Sequence, residues 1–357
     1  LGDLHALVSA NASGAQRIVE FMDEYGMEDL EALTTVVQDR AEKAMRDAIR
    51  KLPDGVYENV VWGSGMGTPE RYPIKITIQG DEIDVDYEGV PPQAEKGAAN
   101  CTLGYIRAHT TYPLKCMLTP EVPGNAGCHR PITIEVPEGS LFNAKKPAAV
   151  NLRTRTGWFN SANIFMAMAA AAPDQVQAFT GLPTSQLFYG RDAEGRSYDD
   201  HLFQGGGQGA WSEHDGKSGL LWPTSASDPS IELFEPRAPA LVLTRQYIPD
   251  SGGPGRYRGG LGQLIQCRKL HDDGTPAEAR LYPIGVGIDT PGLFKGQPGG
   301  PTRALVVDSE GDELSDLGAG GLVSLRTTEH IAEMRLGGGS GYGDPLDRPY
   351  ADVQRDL

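Results

Sequence analysis

Residues 249–263, Pro-Asp-Ser-Gly-Gly-Pro-Gly-Arg-Tyr-Arg-Gly-Gly-Leu-Gly-Gln, form the stretch that decides how the second half of the chain folds. Its six glycines in 15 residues exclude a helix, because they let the backbone take positive φ angles and approach other groups closely. Short apolar runs at residues 241–243 and 261–267 flank it and are typical of strands. The stretch is therefore predicted to be an irregular connection between two strands.

The region around this stretch has the composition of a β-rich unit. Of the 46 glycines, 31 lie beyond residue 180, and short apolar runs alternate with turns there. We place a boundary near residue 180 and expect a mostly antiparallel β region over residues 181–357. The predicted strand residues are Leu233, 241–243, Leu264, Ile265, Leu281, Ile284, Val286, 304–307, 322–325 and 334–336.

The first 52 residues are predicted to form a pair of helices. Asp3 can cap a helix that Gly26 ends, with apolar residues recurring at spacings of three and four. A second helix is expected from about Glu28 to Leu52, with Leu30, Leu33, Val37, Ala41, Ala44, Ala48 and Leu52 on one stripe. Pairs such as Glu42 with Arg46 support it. A helical pair of this kind favours a scaffold or a subunit contact over a catalytic site.

Residues 53–180 read as a mixed α/β region. Alternating apolar residues on both sides of Gly80-Asp81 predict a β-hairpin over residues 74–87. Residues 97–118 are expected to be helical with a kink at Pro113, residues 132–136 a strand, and residues 158–179 a buried helix. Together with the glycine-rich half, this predicts an α+β fold with units at residues 1–52, 53–180 and 181–357.

Composition limits the classes of function. A formal charge of −16 disfavours binding to a nucleic-acid backbone. Cysteines 101, 116, 128 and 267 show no metal-binding spacing, so free thiols in a reducing compartment are expected. The longest apolar run, residues 164–172, is too short for a membrane span. We expect a cytoplasmic protein.

Two segments carry candidate site residues. The loop over residues 119–131 contains Asn125, Gly127, His129 and Arg130, and a second cluster comprises Gly205, Gly206, Gly207, Gln208 and Gly209. Amide side chains and glycine N–H groups can hold a carbonyl oxygen that gains negative charge during attack. Arg130 could pair with a carboxylate or phosphoryl oxygen. The two segments are predicted to meet at one site, with Asn125, Arg130 and Gln208 as catalytic groups and Gly127, His129, Gly206, Gly207 and Gly209 binding substrate. Packed structural turns are the alternative.

Other motifs do not hold up. Gly216-Lys217-Ser218 resembles the end of a phosphate-binding loop, but Trp211 stands where the first glycine is required. Gly205-x-Gly207-x-x-Ala210 lacks the helix that a dinucleotide fingerprint needs. Without either nucleotide motif, we expect no ATP site within this chain. The seven histidines show no spacing typical of metal ligands, so we expect no metal site within it either.

Several blocks in one order resemble a known family. They are Gly2-Asp3-Leu4-His5-Ala6, Leu52-Pro53-Asp54-Gly55-Val56-Tyr57, Val122-Pro123-Gly124-Asn125-Ala126-Gly127-Cys128-His129-Arg130-Pro131-Ile132, Pro137-Glu138-Gly139-Ser140, Gly205 to Ala210, the glycine-rich stretch itself, and Gly337 to Pro345. Over nearly the whole chain, the sequence resembles the hydantoinase B/oxoprolinase family.

The resemblance implies a function as part of a larger assembly. Members work with a hydantoinase A-type partner that has an actin-like, ATP-binding fold. In hydantoinases, oxoprolinases and lactamases, phosphorylation of the amide oxygen allows a cyclic amide to be hydrolysed. In acetone and acetophenone carboxylases, a phosphorylated enol combines with activated bicarbonate. The family's divalent-metal ligands lie upstream of the matching segment, so we expect the chain to begin within a longer polypeptide. A non-catalytic scaffold for the ATPase partner is the third reading.

Overall fold

The computed structural model describes residues 1–65 and 68–356, and it begins with a long helix that stands on the surface. Helix α1 spans Gly2–Tyr25 and ends, as predicted, at Gly26, whose φ of 62° places it in the left-handed region. The predicted cap is wrong, because the capping position is Leu1 and it makes no side-chain cap hydrogen bond. Within the described part of the chain, no residue of α1 is buried.

Helix α2 spans Glu31–Ile49 and packs on the body through its second half. Its buried residues are Ala41, Met45 and Ile49. The predicted stripe is therefore only partly right, because Leu33 and Val37 are exposed. The Glu42–Arg46 ion pair forms at 2.9 Å as predicted.

A four-stranded sheet with two further helices follows. Its elements are β1 (Gly55–Gly63), β2 (Glu70–Gln79), β3 (Glu82–Asp86), α3 (Leu103–Leu118), β4 (Ile132–Glu135) and α4 (Thr154–Met168). The sheet has the order β1-β2-β3-β4, antiparallel except for the parallel β3–β4 pair. The predicted hairpin is confirmed, with Ile78 opposite Ile83 and Gly80 at a φ of 64° in the turn. The predicted strand at residues 132–136 is confirmed as β4.

The two further helices are shorter than predicted. Helix α3 begins at Leu103 rather than near residue 97. Thr102 caps it by accepting a hydrogen bond from the Tyr105 N–H in its side-chain oxygen. Pro113 lies inside it. Helix α4 ends at Met168, well before residue 179. With β2 and β3 these helices enclose a core of large side chains that includes Tyr72, Ile76, Tyr87 and Phe142.

The second half is a β-sandwich. Its elements are β5 (Thr184–Arg191), β6 (Ser197–Gln204), α5 (Ile231–Phe234), β7 (Ala240–Tyr247), β8 (Gln263–Lys269), β9 (Ala277–Tyr282), β10 (Arg303–Val307), β11 (Glu313–Asp316), β12 (Gly321–Leu325), β13 (Ile331–Arg335) and α6 (Tyr350–Asp356). One sheet has the order β11-β10-β13-β8-β7 and the other β12-β9-β5-β6, with neighbours antiparallel. Both contribute to one apolar core.

The α+β class and the antiparallel second half are as predicted, but some details differ. Residues 249–263 connect β7 to β8, as expected. Leu233 lies in the short helix α5, and Ile284 and Val286 lie outside any strand. Strands β5 and β6 were not predicted, because their apolar and polar residues do not form clear runs. The boundary near residue 180 stays a prediction.

Extended glycine-rich segments pack together where the two halves meet. We call this region the glycine core; it comprises residues 205–210, 216–219, 251–262 and 337–343. The segments are joined through backbone groups: the Gly260 N–H donates to the Gln208 carbonyl at 2.8 Å, and the Gly339 N–H donates to the Gly260 carbonyl at 2.9 Å. A methyl group on Gly207 would lie 1.9 Å from the Gly260 oxygen, so glycine is required by close approach of backbone to backbone.

Candidate functional site

The predicted loop contains a single turn of 3₁₀ helix, Ala126–His129, that Asn125 organises. The Asn125 side-chain oxygen accepts the Gly127 N–H at 2.8 Å, and its Nδ2 donates to the Pro123 carbonyl at 3.2 Å. A methyl group on Gly127 would lie 1.9 Å from the Gln38 carbonyl oxygen, so the loop lies directly on α2. The Asn125 amide therefore holds the loop in shape.

Arg130 binds to the acidic side of α2. Its Nη1 donates to Asp39 Oδ1 at 2.8 Å and to Glu42 Oε2 at 3.0 Å, and its Nη2 donates to Gln38 Oε1 at 2.8 Å. Hydrogen bonds from Arg130 and Arg46 lower the pKa of Glu42, so that carboxylate is ionised at neutral pH. The charge of Arg130 is thus compensated within the chain. His129 is the last residue of the turn and is exposed.

The second cluster, Gly205 to Gly209, lies inside the glycine core. The Gly207 N–H donates to the Gly337 carbonyl at 3.0 Å, the Gln208 N–H to the Lys217 carbonyl at 2.8 Å, and the Gly209 N–H to Thr180 Oγ1 at 3.0 Å. Neither Gly206 nor its neighbours admit a side chain, since a methyl group on Gly206 would meet the Gly181 oxygen at 2.3 Å. These amide donors are used to assemble the core.

Gln208 belongs to a buried chain of amides. Its Nε2 donates to Gln177 Oε1 at 2.9 Å, and its Oε1 accepts the Lys217 N–H at 3.4 Å. Gln177 in turn donates to Thr180 Oγ1 at 2.6 Å. Gln208 is only 7% exposed, so its amide stabilises the glycine core by joining Gln177 to the Lys217 backbone.

The structure gives the two predicted segments different surroundings. The loop contacts Gln38, Asp39 and Glu42 of α2, whereas the glycine cluster contacts Gly181, Gly260 and Gly337. No hydrogen bond joins the loop to the cluster among residues 1–65 and 68–356. A common site built from both stays a prediction.

His109 is a titratable group that sequence patterns did not single out. It lies on α3 with Nδ1 3.2 Å from Ser161 Oγ, and its ring is 4.5 Å from that of Tyr105. Burial lowers its pKa to about 4, so the ring is neutral at physiological pH. Its only sequence signal was a place within a predicted helix.

Arg155 is a second residue that sequence analysis missed, because the helix was expected to begin at Trp158. It is 5% exposed on α4. Its Nε donates to the Gly65 carbonyl at 3.2 Å, and its Nη1 donates to the Pro283 and Ala319 carbonyls, each at 3.2 Å. A single buried guanidinium thus connects the first sheet to the β-sandwich.

The described residues do not supply a set of metal ligands. Over residues 1–65 and 68–356, no group of three or more His, Cys, Asp or Glu side chains is arranged to hold an ion. These residues therefore do not fit a metal. In the same part of the chain, no helix has the length and apolar character needed to cross a membrane.

Comparison with known proteins places this fold. The family model described as hydantoinase B/oxoprolinase matches residues 1–345. The chain is 28% identical to the B component of a putative D-/L-hydantoinase from Pseudomonas sp. strain NS671, over 100% of this chain and 62% of that protein. It is 29% identical to the beta component of the caprolactamase of Pseudomonas jessenii, over 100% of this chain and 63% of that protein. The chain therefore spans less than two thirds of these relatives.

Solved structures agree with these relatives. The crystal structure of ATP-dependent caprolactamase from Pseudomonas jessenii matches with a TM-score of 0.83 and 28% identity, over 99% of this chain and 63% of that one. A nucleotide-free acetone carboxylase structure matches with a TM-score of 0.76 over 95% of this chain and 52% of that one, but at 18% identity it shows the fold alone. The family match over residues 1–345, carried by a fold shared with caprolactamase, shows that the chain belongs to the hydantoinase B/oxoprolinase family.

Proposed function

We propose that this chain is a segment of the hydantoinase B-type component of an ATP-dependent cyclic-amide hydrolase, opening a hydantoin, oxoproline or lactam ring. The observation that carries the proposal is the match to ATP-dependent caprolactamase, at 28% identity and a TM-score of 0.83 over 99% of the chain. The hydantoinase relative supports the same class of substrate. A ketone carboxylase of the acetone type is the second candidate, supported by the shared fold at 18% identity.

In this proposal, phosphorylation solves the problem of an unreactive carbonyl. An amide oxygen is a poor leaving group until it carries a phosphoryl group, and ATP supplies the driving force. The nucleotide is bound by a hydantoinase A-type, actin-like partner, and the complex is cytoplasmic. A divalent metal, where the reaction uses one, is held by residues outside the segment described here.

We assign the predicted site residues a positioning role. Asn125 shapes the turn that Arg130 fastens to α2, and Gln208 with Gly206, Gly207 and Gly209 assembles the glycine core. Direct contact of Asn125, Arg130 or Gln208 with the reacting carbonyl stays a prediction, which substitution in the complex can decide.

The exposed apolar face of α1 supports assembly with a partner. Leu4 and Leu7 are each 63% exposed and Val8 is 68% exposed. An isolated helix gains little stability in water, so α1 is proposed to be covered in the hetero-oligomer. Leu7→Asp should abolish co-purification with the partner, whereas Ser9→Asp should preserve it. Unchanged co-purification of Leu7→Asp would remove α1 from the interface.

The decisive experiment measures ATP hydrolysis by the chain co-expressed with its partner. Caprolactam, 5-oxoproline or hydantoin should stimulate ADP formation and yield a ring-opened product, and the chain alone should hydrolyse no ATP. Stimulation by acetone with bicarbonate instead would establish the carboxylase. Partner turnover that never depends on added amide or ketone would favour the scaffold reading.

A further inference from the structure

A cleft outside the predicted loop and glycine cluster lies between α4 and the β5–β6 hairpin. It has a volume of about 400 Å³, and its lining includes Ile284, just after the end of β9. The outer face of the hairpin forms its floor, where Ser185 stands opposite Phe203 and Leu187 opposite His201. The size is that of a site for a small organic molecule.

Arg155 lines this cleft and carries a charge that none of the described residues neutralises. Its Nε and Nη1 donate to backbone carbonyls, but Nη2 has no hydrogen-bond partner among residues 1–65 and 68–356. In the same part of the chain, no carboxylate forms an ion pair with this guanidinium, although the residue is only 5% exposed. A buried charge without a counterion is costly, so an anion in the cleft would be strongly favoured.

The remaining walls are apolar with a few free polar groups. Trp158 and Phe203 contact each other with ring centroids 6.1 Å apart, and Tyr282 stands nearby on the wall. Ser185 Oγ and the His201 ring make no hydrogen bond with the described residues, so they are available to a ligand. One guanidinium nitrogen that has no partner among the described residues, together with largely apolar walls, suits a carboxylate better than a phosphate, which needs more donors.

We propose that this cleft binds a small carboxylate with a flat apolar body, whose charged end meets Nη2 of Arg155 and whose ring lies against Trp158 and Phe203. Since the chain carries a net charge of −16, a general attraction for anions does not account for such binding. The proposal concerns the chain's own residues and does not depend on the reaction proposed above.

The test compares benzoate with its neutral isostere benzamide, using the intact chain, isothermal titration calorimetry and ligand-observed NMR. Benzoate should bind at least about tenfold more tightly than benzamide, because only benzoate can form a charge-assisted bond with Arg155. Equal affinities would overturn the proposal, and so would the absence of saturable benzoate binding in the millimolar range. If inorganic phosphate displaced benzoate at a concentration below that of benzoate, the cleft would select phosphate and the proposed carboxylate ligand would be wrong.

Two variants locate the binding. Arg155→Met should reduce benzoate affinity to that of benzamide, but it also removes bonds that join the two halves and can impair folding. Leu187→Trp fills the cleft without touching those bonds and should abolish benzoate binding at an unchanged Tm. Leu322→Trp, at an exposed side chain on strand β12 of the same sheet, is the matched control and should bind benzoate normally. If Leu187→Trp bound benzoate with wild-type affinity, benzoate would bind elsewhere and the proposed binding in this cleft would be wrong.

Discussion

The first sheet and the glycine core exclude water in opposite ways. Between the first sheet and its helices, the interior consists of large side chains, and Tyr72, Ile76, Tyr87 and Phe142 are all 0% exposed. In the glycine core the interior is backbone, and a methyl group on Gly259 would lie 1.8 Å from the Gly339 oxygen. One region is filled by side chains, and the other closes because side chains are missing.

The difference shows what each region tolerates. A side-chain core can lose a methyl group and partly collapse around the gap. A backbone core cannot accept one, because carbonyls and N–H groups held at hydrogen-bond distance have no rotamers with which to yield. The two regions should therefore respond very differently to a change of one methyl group.

Adding that methyl group at Gly339 should produce the largest effect. In Gly339→Ala, the new Cβ would lie 1.9 Å from the Gln208 oxygen and 2.7 Å from the Gly209 nitrogen. The segments would have to separate and break bonds such as Gly339 N–H to Gly260 O, so we expect a loss of more than about 4 kcal/mol and little soluble protein. Soluble yield and thermal unfolding measure it.

The matched control is Gly321→Ala on β12. A methyl group there would meet no atom within 4 Å, and stability should change by less than about 1 kcal/mol. If Gly339→Ala unfolds at the wild-type Tm, the glycine core is loosely packed and the contrast between the two regions fails.

Removing methyl groups from the side-chain core should have the next largest effect. Ile76 is 0% exposed on β2. We expect Ile76→Val to cost about 1 kcal/mol and Ile76→Ala about 3 kcal/mol in free energy of unfolding. Val56→Ala, at a side chain 60% exposed on β1, should cost less than about 0.5 kcal/mol and serves as the control. A graded loss of stability at Ile76 with an abrupt loss at Gly339 would show that the two regions pack differently, and equal losses for Ile76→Val and Gly339→Ala would show that they do not.

The same contrast explains how much of the fold the sequence predicts. The alternation of apolar and polar residues around Gly80 predicts the hairpin correctly, because one face of β2 and β3 is buried and the other is more accessible to solvent. The stripe on α2 is less reliable: Met45 and Ile49 face the body, and Leu33 does not, because the contact with the sheet and the loop fixes the helix rotation. Local spacing carries no information about that contact.

The glycine core and the candidate site depend on distant contacts. Glycine content correctly predicts an irregular crossing near residue 255, but the partners of Gly260 lie at Gln208 and Gly339, far away in the chain. For the same reason a local pattern could not show that Asn125 and Gln208 have separate surroundings. Arg155 had no signal at all, since its role arises from carbonyls of three distant segments.

A pH titration tests His109, a partly buried titratable ring on α3. Burial lowers the folded-state pKa of His109 to about 4, below its ordinary 6.5. The neutral ring therefore contributes stability that is fully present above pH 6.5 and is lost as the pH falls from 6.5 toward 4, by about 3 kcal/mol. His109→Asn should flatten this part of the curve of unfolding free energy against pH. The carboxylates titrate alike in both proteins, so the difference isolates His109, and parallel curves would show that the ring is solvated.

The smallest expected effects concern the loop that lies on α2. Arg130 is 41% exposed and bonds to Asp39, which is 60% exposed, and to Glu42. Solvent screens such pairs, so Arg130→Ala should cost less than about 1 kcal/mol, and Asn125→Ala about 1 kcal/mol through loss of the turn cap. Gln38→Ala is the matched comparison, because it removes one partner of Arg130 without changing any residue of the loop.

Activity of the reconstituted complex then separates positioning from catalysis. A positioning role predicts that Arg130→Ala and Asn125→Ala keep turnover within about tenfold of wild type and that Gln38→Ala lowers it to a similar extent, since each only loosens the loop. Direct contact with a reacting carbonyl predicts a loss of about a hundredfold at an unchanged Tm, confined to Asn125 and Arg130, because a missing donor weakens the transition state and not the fold. The second outcome would overturn the positioning role and show that a partner or substrate redirects the Arg130 guanidinium away from Asp39 and Glu42.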